Sequence, residues 1–249
     1  MQDPGEQQGR LLLLSTGENA SWFGREDAFA FLEKDRDNRL RLDRVERFLR
    51  RRAGRGELLD VGCGDGRVGE RFAALGYQVC GVDAAEENVR ASRAAGLDAV
   101  LADATGALPY AAERFEVVYA GEIIEHLFDT EAFLAELARV LRPGGALIVT
   151  TPNLAHLPDR LRLLLGGTPT QTQPLHPYLK LHIRPFTAGT LRQALARAGL
   201  RLDGLESTLV VWRRAASDPD RVVLASRALA RVFPTLGSFL IAYATKPRG

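Results

Sequence analysis

The sequence predicts an α/β protein built on a doubly wound, mainly parallel sheet. Three observations carry this. From Glu57 to Thr151, short apolar runs rich in β-branched residues alternate with helical runs, a pattern that makes parallel strands joined by right-handed crossovers. Within it, Leu58-Leu59-Asp60-Val61 leads into Gly62-Cys63-Gly64-Asp65-Gly66 and then a helical stretch, so a strand, a Gly-rich turn and a helix follow one another. The chain has 249 residues, 46% of them hydrophobic, which suits one large domain with a sizeable core.

The elements follow in order. Residues 1–10 are polar and read as a tail. In residues 11–24, Trp22 and Phe23 read as anchors onto the core. Asp27–Leu32 and Leu40–Arg52 read as helices, the second with Leu42, Val45 and Leu49 on one stripe. Glu57–Val61 is the first strand and Arg67–Leu75 a helix stopped by Gly76. Gln78–Val82 is a strand ending at Asp83, and Glu86–Ala95 a helix stopped by Gly96. Ala99–Leu101 and Phe115–Ala120 are the third and fourth strands. Asp129 or Thr130 caps a helix to Leu141, with Phe133, Leu134, Leu137 and Val140 at helical period. Pro143-Gly144-Gly145 turns into a fifth strand, Ala146–Thr151. Residues 154–186 form an insertion with no evident sheet element, read as a substrate-side cover whose leucines pack on its own core. Thr187 caps a helix to Ala198. Leu205–Trp212 reads as a strand, Val222–Val232 as a helix and Phe239–Ala244 as the final strand. The whole, residues 1–249, reads as one domain: a helical cap (11–53), a core (56–153), the insertion (154–186) and a completion of the sheet (187–249).

Charge and cysteines narrow the functional classes. The net charge of +2 gives no broad electrostatic case for DNA or RNA. Arg47, Arg50, Arg51, Arg52 and Arg55 read as a solvated helix face and its exit. Cys63 and Cys80 lack the spacing of a metal knuckle or a disulfide framework, so a reduced, cytoplasmic setting is expected. The apolar run Leu11–Leu14 is too short for a signal core, and no stretch approaches the roughly 20 apolar residues of a transmembrane helix.

The glycine turn is a nucleotide cradle, because glycines permit positive φ and close backbone approach. Gly64, Gly66 and Gly69 fit G-x-G-x-x-G, but the pattern starts two residues late for a dinucleotide site. The Asp60 carboxylate beside the loop suits a cationic ligand better than a pyrophosphate. S-adenosylmethionine (SAM) carries a sulfonium and an ammonium and no phosphate. Asp83 closes the second strand about 20 residues after the loop, where a carboxylate can accept from ribose hydroxyls.

Five stretches taken together, LLDVGCGDG (58–66), GVD (81–83), LADA (101–104), EIIEHL (122–127) and LRPGGALIVTTPN (141–153), resemble the class I SAM-dependent methyltransferases. The similarity is strongest to the branch holding the ubiquinone-biosynthesis O-methyltransferases and bacterial small-molecule methyltransferases, and it covers residues 57–153. The resemblance implies a Rossmann-like, seven-stranded sheet whose last strand is antiparallel, and N-terminal helices that cover the cofactor cleft. It implies SAM as cofactor, held by Asp60, Gly62, Cys63 and Gly64 of the loop and by Asp83 with Ala84. Asp103 would accept from the adenine amino group, the Ala104 N–H would read the ring, and Glu122 would lie near the methionine part.

Methyl transfer from a sulfonium is an in-line displacement, so the enzyme aligns reactants and excludes water. A hydroxyl acceptor must also lose a proton, and a base helps. His126, just past the fourth strand, is the first candidate, and His182, at the end of the insertion, is a second base or a substrate contact; the alternatives are a His126 packed against the glycine loop to shape the pocket and a His182 exposed on a loop. His156 and His176 are weaker candidates. Glu122, Glu125, His126 and His182 also resemble the Glu-x-x-Glu-His plus distant His set of metal-dependent small-RNA 3′-terminal 2′-O-methyltransferases. The near-neutral charge and the lack of an aromatic-rich basic surface speak against RNA, and a site without metal is expected. The reading is a SAM-dependent O-methyltransferase for a small or carrier-bound acceptor, monomer or homodimer. The alternatives are the metal-dependent RNA enzyme and a non-catalytic SAM-binding accessory protein.

Overall fold

The computed structural model describes residues 35–52, 56–173, 175, 179–210 and 228–248. The expected tail, Trp22, Phe23, the helix Asp27–Leu32, Arg55, His176 and Trp212 lie outside them. The described elements are α1 (Arg36–Arg51), β1 (Glu57–Val61), α2 (Arg67–Ala73), β2 (Gln78–Asp83), α3 (Glu86–Ala94), β3 (Asp98–Leu101), β4 (Phe115–Gly121), α4 (Thr130–Val140), β5 (Leu141–Pro152), α5 (Leu157–Leu164), α6 (Ala188–Arg197), β6 (Arg201–Ser207) and β7 (Phe239–Thr245). Short 3-10 turns occupy Ile124–His126, Thr170–Thr172 and Leu179–Leu181.

The strands form one seven-stranded sheet in the order β3-β2-β1-β4-β5-β7-β6. Neighbours from β3 through β5 are parallel. β7 is antiparallel to both β5 and β6, between which it is inserted. β1 lies between β2 and β4, the place where the strand order reverses, and ligands of open α/β sheets bind at the carboxyl ends there.

Side-chain alternation along the central strands makes two cores. Leu59, Val61, Val118, Ala120, Leu147 and Val149 face one side and pack under α4 and α6 with Phe133, Leu137, Leu191 and Leu195. Leu58, Val117, Tyr119, Ile148, Ile241 and Tyr243 face the other, where Val45 and Leu49 of α1 and Phe72 of α2 meet them. The runs are apolar on both faces because helices cover both.

Three elements depart from the sequence reading. α1 begins at Arg36, four residues early, because Asp35 caps it by accepting from the Asp37 N–H at 2.8 Å. β6 occupies Arg201–Ser207 rather than Leu205–Trp212, since the ladder with β7 pairs Arg201 with Thr245 and Ser207 with Leu240. The insertion holds a helix, α5, and closes on itself at the sheet: Asn153 bridges Phe186, and the Leu154 N–H donates to Phe186 O at 2.8 Å. At 228–232 the chain is helical, in the C-terminal part of the helix expected over Val222–Val232. The Thr187 cap is present as a reciprocal pair with Thr190, and Asp129 caps α4 by accepting from Ala132 N–H. Among the described residues, no helix is long and apolar enough to cross a membrane.

Candidate active site

The glycine turn leaves β1 with left-handed backbone at Gly62, Gly64 and Gly66. A Cβ on Gly66 would stand 2.9 Å from the Ser92 backbone, so position 66 admits no side chain. The turn is tied to β2 by N–H bonds from Gly62 and Cys63 to Val82 O, at 2.8 and 3.0 Å. The Cys63 side chain points inward against Gly81, and burial pushes its thiol up. Asp83 stands at the mouth of this turn. Its carboxylate accepts from Gly64 N–H (2.9 Å), Ala85 N–H (2.9 Å) and Asn88 Nδ2 (3.0 Å). Ala84 follows it, and Ala102 N–H donates to Asp83 O at 3.0 Å. That bond brings the end of β3 alongside, where Asp103 is exposed, accepts from Thr105 N–H at 2.8 Å, and precedes the buried Ala104.

Asp60 is different in kind. It is buried, and its Oδ2 has no hydrogen-bond partner. Burial first, then the neighbouring Asp83, pushes its carboxyl up to about 7 against the pull of Arg41. Asp60 thus places a buried carboxyl, with one oxygen unpartnered, beside the glycine turn.

At the end of β4 the chain turns sharply. Glu122 has φ +57°, a left-handed backbone that costs a non-glycine residue about 1–2 kcal/mol. The turn is held by Glu122 N–H donating to Thr150 O and by Thr150 Oγ1 donating to Glu122 Oε1, both at 2.9 Å. It also backs the glycine loop, since a Cβ on Gly62 would meet Ile123 at 3.1 Å. Behind Glu122 lies Arg41, its side chain buried inside the protein. Arg41 Nη1 donates to Tyr119 Oη (2.9 Å) and Thr150 Oγ1 (2.8 Å) and is 3.9 Å from Glu122 Oε1. Burial raises the Glu122 carboxyl, and Arg41 and Thr150 act in the opposite direction.

On the other face of the sheet stand Glu125, His126 and His182, all buried, with one ligand atom from each lying within 4.8 Å of the others. Thr151 Oγ1 donates to Glu125 Oε2 at 3.0 Å, while Glu125 Oε1 has no hydrogen-bond partner. Burial first, then Glu122, holds the Glu125 carboxyl well above the usual range. His126 Nδ1 lies 3.0 Å from Leu181 O. A carbonyl only accepts, so Nδ1 carries the proton and Nε2 the lone pair. Burial lowers the His126 imidazole to about 4, so near neutrality it is uncharged. The rings of His126 and His182 meet edge to face at 4.9 Å. The insertion supplies Leu181 and His182, and Arg184 N–H donates to Glu125 O at 3.0 Å. His156 lies elsewhere, 3.2 Å from the buried Asp159.

The sequence reading overlooked Arg41, Tyr119, Thr150 and Thr151. Arg41 carried a usable signal: it lies four residues before Val45, on the buried stripe of an amphipathic helix. The two threonines at the end of β5 point to opposite faces, one to each glutamate.

Fold and cleft define an enzyme of the class I SAM-dependent methyltransferases, and the chain belongs to that family. The family model for a methyltransferase domain matches residues 32–204. The chain is 35% identical over 183 residues to the ubiquinone biosynthesis O-methyltransferase of Brucella anthropi, covering 68% of this chain and 72% of that protein. Among solved structures, it superposes with a TM-score of 0.60 on a SAM-dependent methyltransferase from Archaeoglobus fulgidus, at 20% identity, covering 88% of this chain and 99% of that one. The TM-score is again 0.60 for phosphoethanolamine N-methyltransferase 2 of Haemonchus contortus in complex with S-adenosyl-L-methionine, at 17% identity, covering 94% of this chain and 57% of that one. These structural likenesses speak to the fold. SAM is the cofactor of this enzyme.

Proposed function

We propose that the enzyme transfers a methyl group to a hydroxyl of a small or carrier-bound acceptor, with the acceptor entering over Glu125, His126 and His182. The observation that carries this reading is the neutral His126. Its Nδ1–H is fixed on Leu181 O, and its Nε2 lone pair lies in a buried polar cluster. When bound, SAM supplies a methyl group activated on a sulfonium. Gly62, Cys63 and Gly64 would cradle the donor, Asp83 with Ala84 would receive its ribose, and Asp103 with the Ala104 N–H its adenine. Asp60 and Glu122 would face its cationic end. His126 Nε2 would take the hydroxyl proton as the acceptor attacks, and His182 would position the acceptor. The similarity to an O-methyltransferase over most of the chain supports oxygen as the acceptor atom.

The test is incubation with SAM and a panel of phenols, sugars, amines and thiols, read as a mass gain of one methyl group. Transfer to amines alone would remove the O-methylation reading.

One observation favours a second reading of the same cluster. Two imidazoles and a carboxylate with an unpartnered buried oxygen form a donor set for a divalent cation. Such an ion would lower the hydroxyl's pKa directly. Titration of chelator-treated enzyme with Mn²⁺ separates the two: unchanged turnover supports His126 as base, and recovery of turnover supports the metal.

A further inference from the structure

We propose that Asp60 is the residue by which the cleft tells SAM from its demethylated product, giving up a proton when the sulfonium arrives and regaining one when a neutral thioether is left. The inference rests on the reading that Asp60 faces the cationic end of SAM. Asp60 differs from the other acids of the cofactor side in having little to hold its charge. It is 1% exposed, and its Oδ2 has no hydrogen-bond partner. In the sheet it lies between Gly81 of β2 and Tyr119 of β4. Gly81 brings no side chain, and the Tyr119 hydroxyl already accepts from Arg41 Nη1 at 2.9 Å. From α2 it meets Gly69, where a Cβ would stand 3.7 Å from Oδ2. The titratable groups acting on or with it are Asp83, Arg41, Cys63 and Tyr119. Burial pushes the Cys63 thiol and the Tyr119 phenol up, so both are neutral near pH 7. Arg41 is the cation among them, and its Nη1 is committed to Tyr119 and Thr150, with Glu122 at 3.9 Å. Asp83, by contrast, spreads its charge over Gly64 N–H, Ala85 N–H and Asn88.

SAM and S-adenosylhomocysteine (SAH) share adenosine, ammonium and carboxylate, and they differ by the methyl group and the positive charge on sulfur. Groups that hold the shared parts bind both alike, so discrimination falls on a group that answers to that charge. A carboxyl buried without partners keeps its proton until a cation comes near. A sulfonium beside it lowers its pKa and releases the proton to water. The ionised acid is then a seat for a cation, and in a buried place the attraction is far stronger than in water. When transfer leaves the S–CH3 bonding pair on sulfur, the attraction ends. Asp60 is then a buried anion facing a neutral thioether, and it takes a proton back from water. The acid thus favours entry of the donor over retention of the product, and the preference grows with pH.

The test is calorimetry of the full chain with SAM, with SAH and with sinefungin, which carries a protonated amine in place of the methylated sulfur; no acceptor is present. Buffers of different ionisation enthalpy read the proton exchanged. The expected result is proton release with SAM and sinefungin at about pH 6, and none with SAH. Because the Asp60 carboxyl titrates at about 7, the SAM dissociation constant should fall roughly tenfold from about pH 6 to about pH 7.5, while that of SAH stays level. In Asp60→Asn, SAM affinity should be weak and level with pH, with SAH affinity kept as the sign of a folded cleft. SAM bound by the wild type without proton release, or equal release with SAM and SAH, would overturn the proposal. Loss of SAM and SAH affinity alike in Asp60→Asn would also overturn it while leaving Asp60 in the cofactor site. Wild-type affinity for SAM in that variant would remove the reading beneath it as well.

Discussion

The glycine-loop side and the β4-turn side of the cleft are built by opposite means. At the loop, Asp83 is held by Gly64 N–H, Ala85 N–H and Asn88, all within the stretch from the glycine turn to the start of α3. Its partners are mainly backbone groups whose positions follow from the fold. At the β4 turn the partners, side-chain and backbone groups alike, come from distant elements. Thr151 reaches Glu125 across 26 residues and Leu181 O meets His126 across 55. Arg41 reaches Thr150 across 109. The first side is fixed by hydrogen bonds within its own stretch of chain. The second is a set of buried ionisable groups, and their charge states answer to burial and to each other. On the proposed function, the first side receives the cofactor and the second the acceptor.

That contrast can be broken from either end. The largest effect is expected on the β4-turn side: His126→Asn should lower kcat by about 10²–10⁴ while calorimetry shows SAM affinity little changed. A matching loss of SAM affinity would merge the two sides. Gly66→Val strikes the loop, where positive φ and the Ser92 backbone leave no room. It should cost roughly 3 kcal/mol or more of stability, seen in denaturant unfolding, and remove SAM binding in whatever protein still folds. Arg41→Met takes the buried cation from behind Glu122 and should destabilise the fold by about 3 kcal/mol. SAM affinity should fall with it, and an unchanged dissociation constant would confine Arg41 to structure.

The smallest effect sharpens the comparison through pH. The Asp60 carboxyl titrates at about 7 when folded, raised from its ordinary 3.8. Between those values the folded state holds a proton that the unfolded state has lost. Its contribution is therefore fully present below about 3.8, and stability falls as pH rises toward 7. Asp60→Asn should abolish this loss and melt higher than wild type at alkaline pH. It should also bind SAM more weakly, since the seat for a cation is gone. A variant with wild-type affinity would take Asp60 out of the cofactor site.

The loop, the alternation of strands and helices, and the carboxylates at strand ends were legible in the chain because each depends on neighbours in sequence. A positive φ asks for glycine, and a strand buried on both faces asks for an unbroken apolar run. A cap asks for Asp or Thr at one position. The start of β6 was not legible, because register is decided by the partner strand: Arg201 is strand because Thr245 lies opposite. The early start of α1 was missed for a smaller reason, since Asp35 was not read as its cap.

By itself, then, the sequence determined the parallel strands, their cradle and the class of ligand the cradle receives, all properties of short stretches acting through backbone geometry. Tertiary structure alone decided that Arg41 lies behind Glu122, that His126 is an uncharged imidazole locked on Leu181, and that Leu163, Leu164 and Leu165 of the insertion are exposed, where the sequence reading packed them on the core. Each of these depends on which distant side chains exclude water from which. Burial is a property of the packed whole, and no window of the sequence contains it.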